Sequence, residues 1–217
     1  MIGVEGEVLG IATLSLKVAL TATIVACLLG IPLGFALGLT RFAGRRALLV
    51  VLNTALAFPT VVIGLLIYLL LARRGPLGGL GLLFTWHAIV IAEVILAAPI
   101  AIALSAAAVQ AVDPRVRRTA LTLGAGTLRT AWTIALEARF ALAAAVVVAF
   151  GRVLSEVGAA LIVGGNVLHE TRTLTTAITL ATSQGNFALA VALGLVLLGL
   201  ALTVNVLIQL FQGRGDI

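Results

Sequence analysis

Apolar positions run through this chain in long unbroken blocks, not in the alternating or 3.6-residue pattern of a water-soluble fold. Five blocks approach or exceed the roughly 20 mainly apolar residues that a membrane span needs. They are 18–39, 47–72, 84–109, 140–163 and 187–211. Lipid offers no partner to an open backbone, so such blocks must be helices. Polar residues concentrate between the blocks, and the longest interruption is 112–139. It opens Val112-Asp113-Pro114-Arg115-Val116-Arg117-Arg118 and runs on to Arg139. A polar loop of this length between two spans, with a helical pattern of its own, has work to do at the membrane surface. The pattern therefore predicts an all-α membrane protein of about five transmembrane helices in one transmembrane domain, residues 1–217.

Composition agrees. Of 217 residues, 62% are hydrophobic and only 10% charged, with a mean hydropathy of +1.24. Soluble domains carry about 25% charged residues. The net charge of +6 is not a nucleic-acid signal, because the arginines sit at the ends of apolar blocks, where lipid headgroups and topology account for them. The first nine residues carry Glu5 and Glu7 and no basic residue, so a signal peptide is not expected and the first block reads as a retained span. The lone Cys27 reads as a small buried hydrophobe.

Basic residues also set orientation. Arg41, Arg45, Arg46, Arg115, Arg117, Arg118, Arg129, Arg139 and Arg214 fall on one side of a five-span protein. Lys17, Arg73, Arg74 and Arg172 fall on the other. The first group places the 112–139 loop and the C-terminus in the cytoplasm and the N-terminus outside. Five spans do not divide into the equal halves of many secondary transporters.

Two catalytic readings fail on the residues. A nucleotide-binding P-loop needs a lysine after glycine, and the only lysine, Lys17, lies between Leu16 and Val18. His169-Glu170-Thr171-Arg172-Thr173 begins like a zinc-protease helix but lacks the second histidine, so no metal site is expected there.

Inside the blocks, charges are costly and face a bundle or a cavity. Arg152 and Glu156 stand four apart on one helix face and can form a structural ion pair. Glu93 has no charged neighbour at helical spacing in its own block, which leaves a proton relay open. His87 reads as interfacial. Pro59 and Pro99 each remove a helix hydrogen bond and are candidate kinks. Gly164-Gly165-Asn166 reads as a helix stop. The hydroxyls of Thr171, Thr173, Thr175 and Thr176 then offer uncharged donors along an anion's path. With Thr60, Ser155 and Asn166, Thr173 and Thr175 are the candidate pathway residues. Small residues in the polar loop would let a partner's backbone approach closely.

That loop resembles the signature loop of ABC-importer permeases, which reads Glu-Ala-Ala, three residues, Gly, nine residues, then Ile-x-Leu-Pro. The corresponding residues are Arg118-Thr119-Ala120, Gly124 and Ile134-Ala135-Leu136. Arg118 replaces the leading glutamate and Glu137 the closing proline. Within that family the chain is most similar to tungstate permeases, with molybdate and sulfate permeases as relatives. The similarity is carried by 59–64, Gly75-Pro76-Leu77-Gly78, Pro99-Ile100, Thr122-Leu123-Gly124-Ala125, Gly151-Arg152, 155–159, Gly164-Gly165-Asn166 and 171–178.

The resemblance implies a type I importer fold with a cytoplasmic coupling helix. Arg118, Thr119, Ala120, Gly124, Ala125, Ile134 and Leu136 would contact the ATPase. The implied partners are a second copy of the chain, two ATPase subunits holding ATP and magnesium, an external oxyanion-binding protein and the cell membrane. No cofactor is implied in the chain itself. An ion-coupled carrier and an intramembrane enzyme are the alternatives from other classes.

Overall fold

The computed structural model describes the backbone of residues 2–212, with side chains for 6–207 and 210, and within that range it is helical throughout. Arg214 and the cytoplasmic placement of the C-terminus lie outside the described residues.

The first helix, α1 (Ile2–Leu39), starts well before its apolar block. Nothing between Ile2 and Lys17 breaks a helix, so the polar start continues the same rod. It runs beside α4 (Trp86–Ala111), and small residues let the two backbones approach. Gly30, Gly34 and Gly38 recur every four residues on one face of α1. A Cβ on Gly30 would lie 2.6 Å from Ala101 Cβ, and one on Gly38 2.6 Å from Val109 Cβ. A Cβ on Gly34 would meet the carbonyl of Ile102. Ala22, Ala26, Ala97, Ala101 and Ser105 bury the rest of the seam. Gly34→Ala is expected to force the helices apart and cost about 3 kcal/mol, the upper range for overpacking. A drop in thermal unfolding temperature in detergent would register it, and an unchanged value would show that the seam yields.

The second expected span, 47–72, is not one straight helix. It is divided into α2 (Arg45–Leu56) and α3 (Thr60–Leu71), bent by 96°. The cause is Pro59, which lacks an N–H and keeps Phe58 out of helical geometry. Each half rises about 18 Å, short of the roughly 30 Å of a bilayer core. Pro99, by contrast, sits inside an unbroken α4.

The polar loop folds as a pair of short helices, α5 (Pro114–Thr122) and α6 (Thr127–Glu137). The fourth expected span, 140–163, is also interrupted. It is built from α7 (Arg139–Leu154), which leaves α6 at 64°, and α8 (Gly158–Gly164). Then come α9 (Leu174–Ser183) and α10 (Phe187–Gln212). Among the described residues, three helices are long and apolar enough to cross a membrane, or up to five if the bent pairs α2–α3 and α6–α7 each count as one span.

The interior lies where α1, α4, α7 and α8 meet, around Val18, Ile89, Phe150, Val153 and Val163. Ser15 fastens α9 to this body: its hydroxyl accepts the N–H of Leu174 at 2.7 Å and donates to the Ile11 carbonyl at 2.8 Å.

Candidate functional site

Two features carry functional chemistry: the α5–α6 hairpin at one end of the bundle and the interrupted helices inside it.

Asp113 begins the hairpin. Its carboxylate accepts the N–H of Arg115 at 2.8 Å, and Pro114 fills the first helical position, a favourable helix start. Gly124 ends α5 with φ +80°. Its N–H donates to Leu121 O at 3.0 Å, and Ala125 N–H to Ala120 O at 2.9 Å, a glycine-dependent helix stop. A Cβ at Gly124 would meet nothing within 4 Å. The glycine is thus required by its backbone conformation, whereas space alone would admit a side chain.

The expected coupling residues divide. Ala120 and Ile134 are buried, Ile134 beside Gly38, Leu39 and Val109 of α1 and α4, and Ala125 is half-buried. Arg118, Thr119, Gly124 and Leu136 are exposed. Sequence reasoning passed over the most exposed apolar group: Leu123 is 82% exposed, Leu128 86% and Trp132 67%. Leu128 and Trp132 stand four apart on α6, one face of a helix. The signal available in the sequence was their presence in an otherwise polar, arginine-rich segment. Glu137, where the importer pattern has proline, closes α6, and the chain still turns there.

The second feature is the break between α7 and α8 at Ser155–Val157. Glu156 spans it. One carboxylate oxygen receives Arg152 Nη1 at 2.6 Å, and the other receives the N–H of Ala159 at 3.1 Å. Its backbone carbonyl receives the hydroxyl of Thr175 at 2.8 Å. A single residue therefore ties α7, α8 and α9 together. The Glu156 side chain is 3% exposed, but that of Arg152 is 35% exposed, and Ser155 beside it is exposed.

The start of α3 meets the same break. A Cβ on Gly158 would lie 3.0 Å from Thr60 Oγ1 and 3.5 Å from Glu156 Oε1. One on Gly64 would lie 2.8 Å from Ala159 Cα, so α3 and α8 approach almost backbone to backbone. Two interrupted helices thus begin side by side within the apolar body. Backbone of this kind is tolerated in membranes where protein buries it or it lines a water-filled cavity.

Thr173 and Thr175 are buried behind the break and bonded within the chain. Thr173 caps α9 through Thr176, and Thr173 and Thr175 share a hydroxyl contact at 3.0 Å. With Ser15, Glu93 and Glu156 they surround a void of about 10 Å³, the size of about one water. Thr171 is fully buried and bonded to Gly164 O at 2.6 Å and Val167 N at 2.9 Å. Asn166 stands in the loop beyond α8. Glu93 is 2% exposed, and its Oε2 has no partner among the described residues. Thr60 and Ser155 therefore stand at the two helix breaks, Thr175 lies behind the second on the Glu156 carbonyl, and Asn166 stands in the loop beyond α8.

Comparison with known proteins identifies the family. Residues 30–215 match the family described as binding-protein-dependent transport system inner membrane component. The chain is 41% identical over 209 residues to the probable anion ABC transporter permease protein of Haloferax volcanii, covering 94% of this chain and 90% of that one. It is 38% identical over 212 residues to the tungstate uptake system permease protein of Peptoclostridium acidaminophilum, covering 98% and 93%. Its fold matches the solved structure of an amino acid ABC transporter with histidines, at TM-score 0.73 and 20% identity, over 99% of this chain and 96% of that one. The overall helical fold is thus shared with that structure. The chain belongs to the family of binding-protein-dependent transport system inner membrane components, the membrane-embedded subunits of ABC importers.

Proposed function

We propose that this chain is the membrane subunit of an ATP-driven importer of a tetrahedral oxyanion, tungstate in the first instance, acting as one permease domain over residues 1–217. The observation that carries the coupling is the hairpin. Leu123, Leu128 and Trp132 present an apolar surface at the tip of an otherwise polar projection. A groove on an ATPase subunit is the natural complement of such a surface. The choice of anion is supported by the tungstate and anion permeases to which the chain is similar. Molybdate and sulfate share the geometry and charge, and an external binding protein would set most of the selectivity.

The chain works as a homodimer in this reading. Arg152 and Ser155 remain open on one face of an apolar body, and polar groups at that depth need water or protein beside them. A second copy related by a two-fold axis places the same face opposite and encloses a path between them. Two ATPase subunits hold ATP and magnesium, since the P-loop lysine has no counterpart here. Their closure moves the hairpins. The interrupted helices follow as rigid segments and open the path alternately to each side. Arg118, Thr119, Ala120, Gly124, Ala125, Ile134 and Leu136 serve that contact directly or by holding the hairpin. Thr60 and Ser155 line the path.

This reading puts the hairpin in the cytoplasm and the 165–172 loop outside. In a Cys27→Ala background, Arg117→Cys is expected to resist an impermeant thiol reagent in intact cells and Glu170→Cys to react. Glu170 is chosen because it is exposed, whereas Thr171 is fully buried. Reaction at position 117 in intact cells would reverse the orientation and remove the coupling surface from the ATPase.

A further inference from the structure

At the end of the bundle opposite the hairpin, α1 and the 165–172 loop border an open cavity of about 340 Å³, lined by Ile11, Thr13, Leu14, Lys17, His169 and Arg172 among others. All three ionisable residues in its wall are basic types. The Lys17 ammonium lies 3.7 Å from the centroid of the Trp86 ring. Among the described residues no carboxylate is within salt-bridge reach of it. Arg172 faces Glu7 across 3.6 Å and donates to the Asn166 carbonyl at 3.4 Å, while its Nε is buried without a partner among the described residues. Among the described residues, Glu7, half-exposed, is the one carboxylate within ion-pair reach of these groups.

The loop is built to hold this arrangement. His169 has φ +67°, a left-handed conformation unfavourable for a residue with a Cβ, and Asn166 has φ +54°, which asparagine tolerates. Thr171 pins them from within, and Val167 O receives the N–H groups of Glu170, Thr171 and Arg172 at 3.2, 2.9 and 3.0 Å. Strained backbone over-determined by its surroundings gathers at binding sites. Placement adds to this. Lys17 and Arg172 belong to the side that the positive-inside count leaves poor in cations, so their convergence needs a local reason.

We infer that this cavity is a binding site for a tetrahedral oxyanion group, held by the Lys17 ammonium, the Arg172 guanidinium and the His169 imidazole. Two sources offer that chemistry: a free dianion close to the mouth of the transport path, or the phosphate of a lipid headgroup. Only the identification of a free anion with the transported one rests on the proposed function. The charge and shape of the cavity do not.

The test uses the purified full-length chain in an uncharged detergent, without ATP or partners, so failure of the uptake reading leaves it intact. Sodium tungstate, inorganic phosphate and phosphatidylglycerol are each equilibrated with the protein. Retained tungsten and phosphorus are counted per chain, and lipid is counted by native mass spectrometry. The wild type is expected to retain one of these groups. Lys17→Gln/His169→Asn is expected to bind it at least tenfold more weakly at unchanged thermal stability. Asparagine at 169 preserves tolerance of the left-handed backbone. If the double variant unfolds, Lys17→Gln alone removes only the Trp86 contact and is expected to weaken binding several-fold. Tungstate and phosphate competing for one site identify a free oxyanion. Lipid that phosphate does not displace identifies a headgroup. Retention of none of the three by the wild type, or equal retention by wild type and folded variant, overturns the site.

Discussion

Replacing Leu123 and Leu128 together with aspartate is expected to leave a folded permease that ATP no longer drives. Both side chains are more than four-fifths exposed, so the chain's own stability owes them little. Docked in a partner, each would lose its contact with water, and burial of a leucine is worth about 1.5–3 kcal/mol. Two such losses, with two carboxylates needing solvent, weaken association by at least about 100-fold at 1.4 kcal/mol per tenfold. The measurement is co-purification of the ATPase with the variant, with thermal unfolding in detergent as the control. An unfolding temperature close to wild type and no retained ATPase is the expected pair. Retention at the wild-type level would move the coupling surface away from Leu123 and Leu128.

Glu156→Ala is expected to have the largest effect on folding. The substitution removes the partner of Arg152, the cap on the Ala159 N–H and the side-chain link across the α7–α8 break. Removing one member of a buried pair costs about 3–5 kcal/mol in soluble proteins. The lower end applies here, because the Arg152 side chain is 35% exposed and can find water. Arg152→Gln/Glu156→Gln is expected to recover part of the loss, since no lone charge remains. Arg152→Gln alone separates structure from transport. Glu156 would keep its bond to Ala159, so this variant is expected to be less damaged than Glu156→Ala. A variant as stable as wild type with no flux would show Arg152 acting on the anion and not as a structural partner.

Much of this was readable before the fold. The apolar blocks located α4 and α10, and the polar interruption located the hairpin. Arg152 and Glu156 do pair, although Glu156 lies in the break past the end of α7 and not on one helix face with Arg152. Gly124 announced a special position, and within the chain its role is the left-handed turn that ends α5.

What stayed hidden depends on tertiary contacts. Ser155–Val157 contains no proline, and its break is sustained by Glu156 on Ala159 and Thr175 on the Glu156 carbonyl, groups 19 residues apart. The start of α1 was hidden because hydropathy marks where lipid begins, not where a helix does. The threonines after Asn166 read as free donors. Their hydroxyls are spent on Gly164, Glu156 and one another, because buried polar groups must be paired. The 96° bend was half visible: Pro59 marked the place, but a proline fixes only the loss of a hydrogen bond, and Pro99 shows the same residue inside a continuous helix.

The central claim is ATP-driven oxyanion import through this chain, and uptake of radiolabelled tungstate by intact cells tests it most directly. Cells lacking the gene are compared with the same cells carrying a plasmid copy, with ATP depleted in one arm and the membrane potential collapsed in another. Uptake that disappears on deletion, returns with the plasmid, fails without ATP and survives loss of the potential is the result expected of an ABC importer. Uptake that persists without ATP and stops with the potential would make the chain an ion-coupled carrier, and undiminished uptake on deletion in cells with no second tungstate system would contradict the assignment.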